Sequence, residues 1–445
     1  MRKTFDNEKY YELQKIAIEE ALNNGYQRNY LEIGGKFFDD LHASRVLSGF
    51  DSNIKLKIIK DLNIEKEFIV CISARSISKR KKRRDNKKYY TTECMRIIRL
   101  LNENDFKFNV AITRYDDNNR VKDFIKELKE LNIKPYILNN IKDYPENKKN
   151  AFGENGLITN DYIPCRSKLV CIIAPGPDSG KFATCVSQIY HDQNNNIKST
   201  YRKFETFLIP QLHINNPINL ACSMAMVDVP GDDCIDDRYF KKTGEMCAVD
   251  ERDKMTFELL YDVLPEEEKK IIGSISETFI NKMYDCIIDL EAANNHAKKE
   301  IMRRYKEYTK LYRNGKMKKI EFDEAERIKM IVLKGETLTD TEMDTLFKQT
   351  IDFWGYDCQS NVCIEELSEL IHALCRYKRE AFELADDEVK NNVLEELADV
   401  HNMIVQMELY FGRDKIEKIR TEKALRTRKL LAREMLEAQL KEELK

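Results

Sequence analysis

The sequence predicts an α/β amino-terminal portion with open, mostly parallel sheets, followed by an all-α helical bundle. Three observations lead there. Helical patterns alternate with short apolar runs at residues 30–33, 68–72, 108–112 and 134–138, which is how strands joined by crossover helices read. A further apolar run at 169–174 passes into a Gly-Pro loop and then a helical pattern. From about residue 254 the chain reads as mainly helical, and after Gly412 neither glycine nor proline interrupts it, so one long helix is expected there.

Taken in order, residues 1–160 are expected to form a Rossmann-like α/β domain. Residues 161–335 form a second α/β portion with a helical extension, in which the charged stretch 316–336 is a helix or linker. An all-α module covers 338–432, and 433–445 are a helical tail. At 445 residues the chain is long enough for two or three domains with full cores. A net charge of −2 argues against a global nucleic-acid-binding field, so no direct nucleic-acid partner is expected. The twelve cysteines include no CxxC pair and are read as reduced, which points to the cytoplasm. The polar start and the absence of a long apolar run leave no expected membrane partner.

Chemistry is densest in two acidic repeats, Glu365-Glu366-Leu-Ser-Glu369-Leu and Glu395-Glu396-Leu-Ala-Asp399-Val. Residues three apart share a helix face, so Glu366 pairs with Glu369 and Glu396 with Asp399. Val362, Leu370, Ala373 and Tyr377 surround the first pair, and Val393, Val400, Met403 and Met407 the second. Both pairs are therefore expected inside an apolar stripe, where an uncompensated carboxylate costs several kcal/mol. A hard divalent cation, Mg²⁺ or Mn²⁺, offsets such a cluster. A single EExxE segment is more often a solvated face. Two matched pairs on the apolar sides of their helices, with room between them for the chain to reverse, favour the metal site.

These repeats resemble the EExxE and ExxD helices of the MazG-like, all-α nucleoside triphosphate pyrophosphohydrolases. Upstream, Phe353-Trp354-Gly355-Tyr356-Asp357-Cys358-Gln359 is similar to a segment of phage-type members, and residues 420–428 are similar to their basic closing helix. The resemblance implies Glu366, Glu369, Glu396 and Asp399 as metal ligands. Glu365 and Asn402 would orient water or substrate, and the product would be a nucleoside monophosphate plus pyrophosphate. With metals to neutralise the triphosphate and activate water, no nucleophilic side chain is needed. Trp354 is either a stacking platform for a base or a core anchor. Lys423 and Arg426 either reach phosphate or face solvent. Two acidic helices and a closing helix make a thin core, so a homo-oligomer, dimer or tetramer, is expected.

The segment Ala174-Pro175-Gly176-Pro177-Asp178-Ser179-Gly180-Lys181-Phe182-Ala183-Thr184 is P-loop-like: backbone amides and a helix N-terminus would face an anion, and Lys181 would reach outer phosphates. Pro175 stands where the pattern wants glycine, and Phe182 where it wants a hydroxyl. Ser179 or Thr184 is the candidate substitute, and ATP or GTP the candidate ligand. A tight structural turn is the alternative. Gly34, Gly35, Lys36 and Arg45 are further candidates for nucleotide binding, beside Asp39, Asp40 and His42. Asp39 and Asp40 capping a helix with His42 packed is again the alternative. The basic run 79–88 is a ligand loop or a solvated one.

The run Leu31-Glu32-Ile33-Gly34-Gly35-Lys36-Phe37-Phe38-Asp39-Asp40-Leu41-His42, the segments Lys203-Phe204-Glu205-Thr206-Phe207 and Asn216-Pro217-Ile218-Asn219-Leu220-Ala221, and the altered P-loop with Cys185, Ser187, Gln188 and Tyr190 together resemble the bacterial family named domain of unknown function 1846. The likeness covers roughly residues 4–313 and carries no activity with it. The functional expectation is thus a Mg²⁺-dependent nucleoside triphosphate pyrophosphohydrolase fused to a nucleotide-binding α/β module. That module is an ATP- or GTP-dependent ligase or kinase acting on the product, or a sensor without turnover. A scaffold with neither site active is the remaining alternative.

Overall fold

Strands covered on both faces need apolar side chains on both, and the inner strands of this protein have them. The computed structural model describes residues 3–83, 86–227, 233–243, 247–334, 340–380 and 387–443. Two compact units divide the chain, Met1–Gly335 and Glu336–Lys445. The expected boundary at 335–338 lies outside the described residues.

Six strands of the first unit, β1 (Arg28–Ile33), β2 (Lys66–Ser73), β3 (Lys107–Tyr115), β4 (Pro135–Asn139), β5 (Leu169–Ile173) and β6 (Ser199–Phe204), lie in one parallel sheet. A small antiparallel hairpin, β7 (Asp233–Ile235) with β8 (Ala248–Asp250), stands apart, and β9 (Phe279–Ile280) completes the main sheet in the order β4-β3-β2-β5-β1-β6-β9. β5 lies between β2 and β1, so residues 1–160 and 161–335 share one sheet and one compact unit instead of forming two. Only long-range pairing makes this insertion, which local patterning does not reveal.

The two-residue period of a strand sends alternate side chains into two cores. Phe68, Val70, Ile72, Leu31, Ile33, Cys171 and Ile173 enter one, where helices Leu41–Val46, Ile54–Asp61 and Leu290–Arg313 cover the sheet. Ile69, Cys71, Tyr30, Val170 and Ile172 enter the other, with helices Lys181–Asn194 and Glu251–Val263. The chain leaving β1 therefore covers one face and the chain leaving the adjacent β5 the other. Diverging connections open a crevice at the carboxyl ends of those two strands, the place where open α/β sheets take ligands.

Among the described residues, the second unit holds four helices, Asp340–Trp354, Tyr356–Glu380, Asp387–Phe411 and Arg413–Glu443. The last crosses the expected module–tail division at 432/433 without a break. Gly355 and Gly412 join consecutive helices at φ +82° and +102°, backbone that L side chains rarely adopt. Cys363, Ala373, Val400 and Met403 form the packed side of the two middle helices. Among the described residues, no helix is long and apolar enough to cross a membrane.

Ile172 is fully buried on the inserted strand. Ile172→Ala should destabilise the α/β unit by about 2–5 kcal/mol in chemical denaturation, as cavity-forming core changes do. A loss below about 1 kcal/mol would contradict this placement of β5.

Candidate functional site

At the carboxyl edge of the sheet, a cavity of about 430 Å³ is walled by segments following β1, β3, β4, β5 and β6. It brings Gly34, Gly35 and Lys36 together with Gly176, Ser179, Gly180 and Lys181. Two other expected residues do not line it. Arg45 is 41% exposed and lies 4.0 Å from Glu300. Thr184 is buried, donates to the Gly180 carbonyl at 2.8 Å and meets Cys71 Sγ at 3.3 Å. Ser179 Oγ likewise donates to the Gly176 carbonyl at 2.7 Å. Phe182 stacks on Tyr201 in the core, with ring centroids 4.6 Å apart. The loop's hydroxyls thus serve its own backbone.

Lys181 is held as well. Its Nζ lies 2.8 Å from Glu32 Oε1, while the Tyr201 hydroxyl donates to Glu32 Oε2 at 2.9 Å. Burial acts to depress the Lys181 pKa, but Glu32 outweighs it and the net shift is upward. Gly34 makes room for a neighbour: a Cβ there would stand 2.2 Å from Glu205 Oε1, so the carboxylate would have to move.

Asp40 caps the Leu41–Val46 helix through Ala43 N and pairs with buried Lys55 at 2.9 Å. Asp39 turns to Arg96 at 2.8 Å. The capping alternative therefore describes Asp40, although Asp40 and His42 also line the cavity. Arg304 Nη2 lies 3.2 Å from His42 Nδ1. A guanidinium can only donate, so Nδ1 accepts and the neutral ring carries its proton on Nε2. Burial and the Arg304 charge push the His42 pKa down to about 4. Of the basic run, Lys82 and Arg83 line the cavity, and Arg83 pairs with Glu93 at 2.5 Å. Residues 84 and 85 lie outside the described residues.

Sequence reasoning missed Arg114, Arg252, Lys203, Glu205, Asp250 and Asp253 as lining residues. Lys203 lies 2.8 Å from Glu205 and 2.7 Å from Asp253. Lys203 and Glu205 share the Lys203–Phe207 family segment, a signal that could have found them, whereas Asp250 and Asp253 come from a distant helix start that only folding delivers. Asp250 caps the Glu251–Val263 helix, and burial together with the Asp253 charge raises its pKa to about 6.

In the helical unit, carboxylate oxygens of Glu366, Glu369 and Glu396 all lie within 4.8 Å of one another. Asp399 is outside that trio, yet its charge, after burial, is the first to raise the Glu366 pKa, followed by Glu369, Glu396 and Glu365. The acids flank the packed side instead of sitting deep within it: Glu366 and Glu396 are half-buried, and Glu365, Glu369 and Asp399 are exposed. The expected burial fails because each helix also carries apolar residues on its other side. Ile364, Leu367, Ile371 and Leu374 on one helix and Leu394, Leu397 and Ile404 on the next are exposed. Asn402 is half-buried, Trp354 is 49% exposed, and Lys423 and Arg426 are exposed. A depression beside the trio is lined by Ser368, Glu369, His372, Asn392 and Glu396, and Asn392 Nδ2 donates to Glu396 Oε1 at 3.2 Å. His372 and Asn392 lie one turn from the acids and could have been found by extending the helical spacing.

Asp250 gives a signed pH test. Its carboxyl rises from 3.8 to about 6 on folding, so between those values the folded state binds more protons and its stability falls as pH rises. Asp250→Asn keeps a capping oxygen and should remove that slope. Thermal unfolding from pH 4 to 7 should show the variant gaining on the parent as pH rises; parallel curves would contradict the assignment.

Residues 3–336 match the family described as "Domain of unknown function DUF1846, N-terminal". A UPF0371 protein of Streptococcus sanguinis is 36% identical over 307 residues, covering 68% of this chain and 61% of the relative. One of Fusobacterium nucleatum is 37% identical over 308 residues, covering 68% and 61%. One of Clostridioides difficile is 34% identical over 335 residues, covering 75% and 66%. The matched part thus spans about three-fifths of the length of the first two relatives. The chain belongs to the DUF1846 family.

Proposed function

We propose that this DUF1846-family chain carries, in its helical unit, a Mg²⁺- or Mn²⁺-dependent nucleoside triphosphate pyrophosphohydrolase of MazG-like, phage-type character, acting in nucleotide metabolism. One observation carries the reading: three carboxylates from two helices within 4.8 Å of one another. Like charges so close favour a cation; burial first, then the charges of Asp399, Glu369 and Glu396, push the Glu366 pKa up. Oxygen donors at this separation fit a hard divalent ion. Glu366, Glu369 and Glu396 would hold it, with Asp399 alongside. When bound, the ion supplies charge neutralisation for a polyphosphate and acidifies a water. Asn392 fixes the Glu396 carboxylate, and Glu365 and Asn402 orient water or substrate. Trp354, exposed beside Phe353, offers a stacking surface for a base, and Lys423 and Arg426 offer charge for phosphate. The exposed stripe from Ile364 to Leu374 supports a homo-oligomer, since apolar faces of this kind are covered in stable bundles.

For the α/β unit we infer a Rossmann-like, P-loop-like nucleotide-binding role, with ATP or GTP as candidate ligand. The carboxyl-edge cavity supports it. The inward-facing Thr184 and the stacked Phe182 favour binding or sensing over ligase or kinase turnover. The absence of any CxxC pair among the twelve cysteines accords with a reducing, cytoplasmic setting.

Purified protein incubated with each ribo- and deoxyribonucleoside triphosphate and Mg²⁺ should release monophosphate plus pyrophosphate. Glu369→Gln and Glu396→Gln should each lower that release roughly a hundredfold or more without shifting the melting temperature. Diphosphate plus phosphate as products, or unchanged rates in both variants, would sink the assignment.

A further inference from the structure

Two lysines lining the α/β cavity are matched by carboxylates of their own, Lys181 by Glu32 and Lys203 by Glu205 and Asp253. One group departs from that balance. Arg114, at the end of β3, lies 2.5 Å from Asp178 Oδ1, and Arg252, in the first turn of the Glu251–Val263 helix, lies 3.9 Å from the same oxygen. Two guanidinium groups converge on one carboxylate, and all three residues line the cavity. These three side chains together carry one net positive charge.

Three further features sit with this pair. Tyr144 lines the same cavity, and its buried hydroxyl has no hydrogen-bond partner among the described residues. The charges of Arg252 and Arg114 both act on that hydroxyl. Gly180, which starts the Lys181–Asn194 helix, makes no side-chain cap bond, and Gly180, Lys181, Phe182 and Ala183 form part of the wall. The amides of that first turn add partial positive charge. Arg114 and Asp178 both hold left-handed backbone, at φ +48° and +59°, sparsely populated for residues other than glycine.

We propose that Arg114, Arg252 and the Tyr144 hydroxyl form a seat for the phosphate group of a phosphate ester, and that Asp178 competes with that phosphate for the two guanidinium groups. A carboxylate offers two oxygens, which Asp178 already supplies from within. A phosphate monoester offers three non-bridging oxygens and up to two charges, matching two arginine forks and a hydroxyl better than Asp178 does. The rest of the ester meets Leu138, Leu157 and Phe182 as an apolar wall, and Glu205 as an acceptor for hydroxyls. The shared chemistry is that of a nucleoside monophosphate or a sugar phosphate. The inference deepens the nucleotide-binding reading of the α/β unit and rests on it; it is independent of the hydrolase reading.

The test is calorimetric titration of the full chain, carrying Glu369→Gln and with divalent ions chelated so that the acidic helices hold no metal–nucleotide complex. The probes are AMP, ribose 5-phosphate, inorganic phosphate and, as a phosphate-free control, adenosine. Asp178→Asn should tighten AMP binding roughly tenfold, and Arg114→Gln and Arg252→Gln should each weaken it by about tenfold or more. Tyr144→Phe should weaken it a few-fold, and adenosine should respond to none of these changes. If Arg114→Gln fails a thermal-unfolding check, Arg252→Gln, at a 35% exposed side chain, carries the same comparison. Equal responses of AMP and ribose 5-phosphate support the seat and place recognition on the sugar phosphate; a response of AMP alone supports it and adds the base; a response of inorganic phosphate matching both supports it with the free anion as ligand. AMP binding that ignores all four substitutions overturns the seat while leaving the cavity as a nucleotide site. Failure of every phosphate probe to bind, Asp178→Asn included, overturns the seat and the nucleotide-binding reading together.

Discussion

The insertion of β5 between β2 and β1 is the constraint on which the geometry of the α/β unit depends. Because the strands of this sheet run parallel, their carboxyl ends share one edge. β1 sends its chain over one face and β5 sends its chain over the other, so the segments carrying Gly34–Lys36 and Gly176–Lys181 part at that edge and leave a crevice. Sequence positions more than a hundred residues apart thereby come to line one cavity.

Electrostatics then decides what the cavity can do. Buried ion pairs are weak sources of net stability, since desolvation offsets much of the attraction. What they do is fix geometry. Lys181 on Glu32 and Lys203 between Glu205 and Asp253 form a rigid floor, while Lys55 holds Asp40 and the Gly34 carbonyl at 2.9 and 2.7 Å. A lysine so committed must give up a carboxylate before it meets a ligand, which separates this loop from a P-loop whose lysine is available to phosphate.

Part of this architecture is legible in the sequence. The apolar runs at 30–33, 68–72, 108–112, 134–138 and 169–174 overlap β1 to β5, because parallel strands covered on both faces read as near-continuous apolar runs. β6 is not legible: Ser199-Thr-Tyr-Arg-Lys-Phe204 reads as polar, and only its distant partners explain it, Glu268 at 2.5 Å from Arg202 and Asp253 at 2.7 Å from Lys203. The glycines at 34, 176 and 180 stand out by motif, and Gly34 lines the cavity while also making room for Glu205. In the helical unit, spacing alone brings Glu366, Glu369 and Glu396 to one place. Their degree of burial is not legible, because apolar residues on two sides of a helix do not say which side a single chain covers.

The central functional claim is that these three carboxylates form a cation site, and ion placement tests it without assuming any substrate. Anomalous diffraction from crystals soaked in Mn²⁺ should show a peak bounded by Glu366, Glu369 and Glu396, absent in Glu369→Gln. A soak that leaves the trio without a peak would contradict the account.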